Sequence, residues 1–311
     1  MRVIFMGTPL FALETLEKIH EHHEVVGVFV QPDKPNSRGN KIQFSPIKQF
    51  ALDNGLPLFQ PTSVKKEESL ELFKSLNADI AVVAAYGKIL PQAMIDIPKY
   101  GIINVHASLL PQYRGASPIH QSLMNGDSET GVTIMNLVLE LDAGDMILKK
   151  GTPITDEDNF ETLHDRLASL GATACVEAMA QIENGTAVYT PQDGTQATFC
   201  GYITKEHQHI DFTKSSQEIK NIVRTFSPAP GAYAFMNGKR VKIFSVSECC
   251  KSAHLDGKPG EIVGIAPKKG YIVRTKTSSV ILTSLQPENK KRISGQDTLN
   301  GNMFKIGEQF S

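Results

Sequence analysis

The chain has 311 residues, 41% hydrophobic and 21% charged, with a formal net charge of −1 and four cysteines. That composition fits one large or two ordinary globular domains, and excludes a disulfide-stapled miniprotein and a bundle of membrane-spanning helices, since no apolar run reaches bilayer length. The charge is unevenly placed: residues 1–207 carry 16 Lys and Arg against 25 Asp and Glu, a balance of −9, whereas residues 208–311 carry 16 against 8, a balance of +8. A basic C-terminal third on an acidic body is a footprint for a polyanion, with a lysine-rich solvated surface as the plainer alternative.

In chain order, Val3–Met6 reads as a first strand and Gly7-Thr8-Pro9 as a turn. Leu13, Leu16 and Ile19 then fall at helical spacing, and Val25–Val30 reads as a second strand. Ile80–Tyr86 and Ile102–Ala107 are further continuous apolar strands. Strands apolar on both faces and separated by helices predict a parallel sheet covered on both sides. The first turn, "GTPLFA", has one glycine where a dinucleotide fingerprint has three, so NAD or FAD has little support. Residues 156–185 predict one long helix, with Leu163, Leu167, Leu170, Ala174, Ala178 and Ile182 as its apolar stripe.

Residues 190–207 turn polar and read as a linker. Beyond them, residues 240–246, 260–266, 270–275 and 279–287 are short strands broken by Gly, Pro and Lys, the pattern of a small β-barrel. The expected fold is therefore α/β. A Rossmann-like, doubly wound, mainly parallel sheet occupies 1–189, and an OB-like basic barrel follows at 208–311. The N-terminal apolar stretch is too short for a signal peptide, and Cys175, Cys200, Cys249 and Cys250 form no CxxC pair. A reducing cytoplasm is the expected compartment.

One strand breaks the apolar pattern. In "GIINVHASLLPQYRGASP", residues 101–118, Asn104 and His106 sit two apart and so share a face just before a loop. Open α/β sheets bind ligands beyond the carboxyl ends of their strands. A histidine can move a proton near neutral pH, and an asparagine amide can stabilise a developing oxyanion without titrating. Asp142, in "LELDAGDM", is the candidate carboxylate, placed in a turn between apolar strands at 132–138 and 146–148. Each of the three also has a structural reading: a satisfied core histidine, a loop-bonding amide, an ordinary turn aspartate. No GxSxG elbow is present, and His207-x-His209 lacks the further ligands a metal site needs.

These stretches resemble the folate-dependent formyltransferases. "NVHASLLPQYRGASPI" is similar to that family's Asn-x-His-x-Ser-Leu-Leu-Pro segment, "ETGVTIMNLVLELDAGDMI" to its aspartate loop, and "FMGTPLFA" and "AAYGKILP" to its first and fourth strand ends. "SRGNKIQFSPIKQFA", "YITKEHQHIDF", "VRTFSPAPGAY" and "LQPENKKRISGQDTLNG" resemble the branch that acts on aminoacylated tRNA. The chain departs at Glu140 and Ala143, where the family usually has Gly and Thr, at Gln112 and Ser117, and at Phe212 and Ala229, where tryptophans are usual.

The resemblance implies transfer of the formyl group of 10-formyltetrahydrofolate to the amine of methionine on initiator methionyl-tRNA. It implies Asn104, His106 and Asp142 as catalytic residues, with Asp142 keeping His106 protonated or oriented. Ser108, Leu109, Leu110 and Pro111 would line the folate pocket. Arg38, Lys41, Lys48, Lys239 and Arg240 would meet the tRNA, with Lys242 or Lys290-Lys291-Arg292 as further phosphate contacts. No metal is implied, because the leaving nitrogen already activates the donor. No membrane partner is implied, and a monomer is the simplest expectation.

Overall fold

The structure, a computed structural model, describes residues 1–33, 44–249 and 256–311. The chain divides into two compact units: residues 1–118, 129–153 and 164–201 form the first, and residues 119–128, 154–163 and 202–311 the second. The elements run β1 (Arg2–Gly7), α1 (Leu13–His22), β2 (Glu24–Phe29), α2 (Pro46–Asp53), β3 (Leu58–Phe59), α3 (Glu67–Ser75), β4 (Ile80–Ala84), α4 (Gln92–Ile95) and β5 (Ile102–His106). Next come β6 (Arg114–Gly115), α5 (Pro118–Asn125), β7 (Glu129–Asn136), β8 (Met146–Pro153), α6 (Phe160–Glu183) and β9 (Phe199–Cys200). The rest is α7 (Ser216–Thr225), β10 (Ala232–Met236), β11 (Lys239–Glu248), β12 (Ile262–Ala266), β13 (Gly270–Arg274), β14 (Ser279–Pro287), β15 (Ile293–Ser294) and α8 (Gly295–Asn300).

The first unit is built on a seven-stranded sheet in the order β3-β2-β1-β4-β5-β7-β8. Every pairing from β3 to β5 is parallel, while β5–β7 and β7–β8 are antiparallel. The mainly parallel reading holds, and the strands bear out its physical basis: β4 and β5 are buried at every position. The antiparallel extension has a local cause. A short hairpin-like turn at 137–145 joins β7 to β8, and a parallel pair would need a crossover of a dozen residues or more. Of the expected stripe on α6, Leu163, Leu167, Ala174, Ala178 and Ile182 are buried, and Leu170 is half-buried.

Residues expected to form a linker are otherwise employed. Phe199–Cys200 form β9, which pairs in parallel with β6, and the first unit extends to Gly201. Of the polar side chains there, Gln192 and Thr198 bond loops of the first unit, and the division between the units falls within the stretch, after Gly201.

In the second unit β10-β11-β14-β13-β12 form an antiparallel sheet, with β15 on β14. The last residues close it. Ser311 exchanges both backbone hydrogen bonds with Phe235 of β10 (2.7 and 2.9 Å), and Glu308 and Phe310 bond Ile262 and Gly260 beside β12 (both 2.8 Å). The last residues thereby bond the outer edge of β10 and the start of β12, so that one segment spans both ends of the sheet. Phe212, where the family usually has tryptophan, is buried in this unit's core with its ring centroid 5.8 Å from that of Phe310. A capping box, Ser215 with Glu218, starts α7.

Candidate active site

β5 delivers Asn104 and His106 to the carboxyl end of the parallel strands, at a position where β4 flanks it on one side and β7 on the other. Asn104 is 9% exposed, and no hydrogen bond of its amide occurs among the described residues. That leaves the amide free to bond water or a bound molecule.

His106 is 5% exposed. Its Nε2 lies 2.9 Å from the Tyr113 carbonyl oxygen, and its Nδ1 lies 3.7 Å from Asp142 Oδ2. A carbonyl only accepts, so Nε2 must carry the proton that bonds it. Nδ1 is the nitrogen turned toward Asp142 Oδ2. It faces the carboxylate at a distance too long for a hydrogen bond but within reach of an ion pair when the ring is charged.

Two loops hold this geometry. Asp142 adopts φ +47°, a left-handed conformation that Asp tolerates better than most residues. Its Oδ2 accepts the Gly115 N–H at 2.8 Å. Gly144 lies so close to the end of β7 that a Cβ there would sit 1.9 Å from the Asn136 oxygen. Gly115, at φ +118°, would bring a Cβ to 2.2 Å from the Cys200 oxygen. Only glycine fits either crossing. Asn136 N–H bonds the Asp145 carbonyl (2.9 Å) and Leu137 N–H the Ile102 carbonyl (2.8 Å), tying the aspartate loop to β5.

The 108–111 segment differs from expectation. Ser108 and Leu110 are fully buried. Ser108 Oγ donates to the Gln112 carbonyl at 2.6 Å, so its hydroxyl is spent shaping the turn. Leu110 N–H bonds Thr133 Oγ1 (3.1 Å), and its carbonyl accepts from Lys149 Nζ (3.0 Å). Their side chains belong to the core and not to a pocket wall, whereas Leu109 and Pro111 are half-buried. The apolar surface beside Asp142 lies instead on its own loop, where Val138, Leu139 and Leu141 are 42%, 59% and 56% exposed.

Among the basic residues expected to meet RNA, Arg38 and Lys41 lie outside the described residues. Lys48 corrects the expectation. It is 8% exposed, paired with Asp33, bonded to Gln60 Oε1 (2.9 Å) and stacked 4.0 Å over the Phe44 ring. Its placement at the third residue of α2 turns it inward, and its charge is already neutralised. Lys239 and Arg240 are exposed on β11, with the Arg240 guanidinium 5.7 Å from the Tyr233 ring centroid. Lys242 donates to the Pro230 carbonyl (2.8 Å), and Arg292 lies 4.4 Å over Phe244.

Sequence reasoning missed three contributors: the Tyr113 carbonyl, the Gly115 N–H, and the buried Arg114 between them, whose Nη1 reaches Glu140 Oε1 at 3.2 Å. Arg114 and Gly115 were visible in the loop after β5. Their partners, more than 20 residues away, were not.

Residues 1–179 match the formyl transferase family and residues 202–303 the formyl transferase C-terminal domain. The chain is 47% identical over 309 residues to methionyl-tRNA formyltransferase of Fusobacterium nucleatum, covering 99% of each chain. It is 45% identical to the protein of that name from Sulfurihydrogenibium sp., covering all of both. Among solved structures, the N-formyltransferase from Helicobacter canadensis in complex with folinic acid and dTDP-3-aminofucose superposes with a TM-score of 0.67 at 21% identity, covering 92% of this chain and 98% of that one. HypX from Aquifex aeolicus in complex with tetrahydrofolic acid gives 0.65 at 17%, covering 98% of this chain and 48% of that one, so the chain spans about half of HypX. At these identities the two structures establish a shared fold. Among the described residues no helix is long and apolar enough to cross a membrane.

Proposed function

The chain belongs to the formyl transferase family, and from that premise we propose that it transfers the formyl group of 10-formyltetrahydrofolate to the α-amine of methionine on initiator methionyl-tRNA, as a cytoplasmic monomer serving translation initiation. The end-to-end likeness to relatives of that name supports the acceptor. The observation that carries the chemistry is the Asn104 amide, with no hydrogen bond among the described residues, on the same strand as a histidine whose Nδ1 lies 3.7 Å from Asp142 Oδ2.

When bound, 10-formyltetrahydrofolate supplies a formyl carbon already activated by its leaving nitrogen. Val138, Leu139, Leu141 and the half-buried Leu109 offer the apolar surface its ring system needs, which accounts for large aliphatic side chains left in water. As the amine attacks, negative charge develops on the formyl oxygen. The Asn104 amide donates to that oxygen, and so does the Nδ1–H of His106 when the ring is charged. Both groups are fixed in advance by β5, so little reorganisation is needed. Asp142 balances the imidazolium and takes the proton released by the amine, through a water; the oxyanion then collapses, the bond from the formyl carbon to the donor nitrogen breaks, and that nitrogen leaves with the proton. The carboxylate is held for this by the Gly115 N–H. Lys239 and Arg240 on β11 would engage phosphates, which position an RNA without reading its sequence.

The test is formyl transfer from 10-formyltetrahydrofolate, comparing methionyl-tRNA with uncharged tRNA plus free methionine. Formylation of the charged tRNA alone is expected. Turnover without a tRNA requirement would move the activity to a small amine or to water, and the acceptor assignment would fall.

A further inference from the structure

Gln192 lies on the polar stretch between α6 and β9, remote in sequence from every residue of the site. Its Nε2 donates to two carbonyls at once, Asp142 O and Gly144 O, each at 2.8 Å. Its Oε1 accepts from Arg114 Nε at 3.1 Å and Nη2 at 3.0 Å. Carbonyls only accept and a guanidinium only donates. The orientation of the amide is thus dictated by its neighbours, and an amide is the side-chain group of this size that can serve both. The two carbonyls flank Ala143, so Gln192 grips the turn that carries Asp142 on either side.

The other end of the grip is equally specific. Arg114 is 4% exposed, and its remaining Nη1 bonds Glu140 at the start of the same turn. The residues bracketing Arg114 touch the catalytic groups directly: the Tyr113 carbonyl bonds His106 Nε2, and the Gly115 N–H bonds Asp142 Oδ2. One glutamine therefore joins the strip that fixes the histidine to the turn that fixes the aspartate. Asp142 sits at φ +47°, a left-handed conformation that costs most non-glycine residues some energy, and the clamp helps to hold it.

We propose that Gln192 is a positioning residue for formyl transfer, clamping the Asp142 turn onto Arg114 and so setting the distance between the Asp142 carboxylate and His106. This rests on the reading that Asn104, His106 and Asp142 carry the reaction. The clamp acts through Asp142, with Gln192 itself touching no substrate.

Two variants separate the halves of the clamp. Gln192→Glu keeps an acceptor for Arg114 but sets a carboxylate oxygen against two carbonyls, so the fold keeps its buried guanidinium satisfied while the turn is released. Gln192→Met removes both halves at similar volume. A misplacement of about 1 Å at a reacting group costs up to ~100-fold, so Gln192→Glu should lower kcat by about 10–100-fold with KM for methionyl-tRNA little changed. The double variant Asp142→Asn/Gln192→Glu should be no slower than Asp142→Asn alone, because both act on one carboxylate. Additive losses would overturn the proposal, as would wild-type kcat in Gln192→Glu. Amide hydrogen exchange at Gly115 supplies a readout independent of turnover. Its N–H is bonded to Asp142, and its protection should fall in both variants. Unchanged protection at Gly115 would refute the clamp even if the chain proved to formylate some other amine. Lost protection in a chain inactive toward methionyl-tRNA would leave the clamp standing and remove the acceptor assignment alone.

Discussion

Asn104 and Lys48 show what burial does to two polar residues with opposite tasks. Asn104 is nearly buried and makes no side-chain hydrogen bond among the described residues, which leaves its amide to water or to a bound oxygen. Asn104→Leu should therefore leave the melting temperature unchanged or raised, while turnover falls by ~10²–10³. A variant as fast as wild type in a formyl-transfer assay would end the oxyanion role. Lys48 is buried with its charge answered by Asp33 and Gln60. The Lys48 ammonium, followed by the Gln60 amide, holds the Asp33 carboxyl below the ordinary carboxylate range. A depressed folded value contributes stability above the unfolded value, about 3.9, and that contribution is lost as pH falls through the lowered one. Urea unfolding of Lys48→Met should thus show a deficit at neutral pH that shrinks below about pH 4. A deficit independent of pH would mean the lysine contributes packing alone.

The turn between β7 and β8 decides where the carboxylate stands, and its freedom is confined by contacts that local sequence does not name. Gly144→Ala would set a Cβ against the Asn136 oxygen at 1.9 Å, so either β7 or the turn must move. The expected cost is about 1–3 kcal/mol, with turnover falling more than the stability loss explains, because Asp142 moves with the turn. Equal denaturation midpoints for variant and wild type would show that the crossing is less crowded than the geometry requires. In the second unit, residues 307–311 bond β10 at Phe235, the first residue of β12 at Ile262, and Gly260 before it. Truncation after Lys305 should expose both edges, lower the melting temperature and promote concentration-dependent association. A truncated chain that remains monodisperse with wild-type stability would show that the sheet protects its own edges.

For the molecule as a whole, the separation of charge is what the proposed function would use to meet a polyanion. The last third holds twice as many basic as acidic residues, whereas the larger remainder is acidic. Binding of methionyl-tRNA should weaken steeply with salt, each neutralised phosphate adding roughly 0.7–0.9 to the log–log slope. Lys239→Ala/Arg240→Ala should reduce that slope by about two such increments and leave kcat at saturating tRNA intact. An unaltered slope would place the phosphate contacts elsewhere on the basic surface. Lys48 is not a candidate for that surface, being enclosed.

The alternating apolar runs were enough to establish a parallel sheet, because a strand buried on both faces must be apolar at every position, as β4 and β5 are. Asn104 and His106 were legible for the same reason: two polar residues on one face of such a strand violate its pattern. Asp142 was nameable as a carboxylate between two strands. Residue order could not decide what surrounds these three. Lys48 lies one helical turn from solvent-facing residues, and only packing turned it inward. Ser108 and Leu110 follow the site directly in sequence and are withdrawn into the core by hydrogen bonds to Gln112 and Thr133. Gln192 sits in a stretch whose composition reads as a linker, and it acquires its role from two loops brought to it by the sheet. Periodicity records which face of an element is buried. Which distant donor meets which acceptor is fixed only when the elements pack, and there the tertiary structure alone decides.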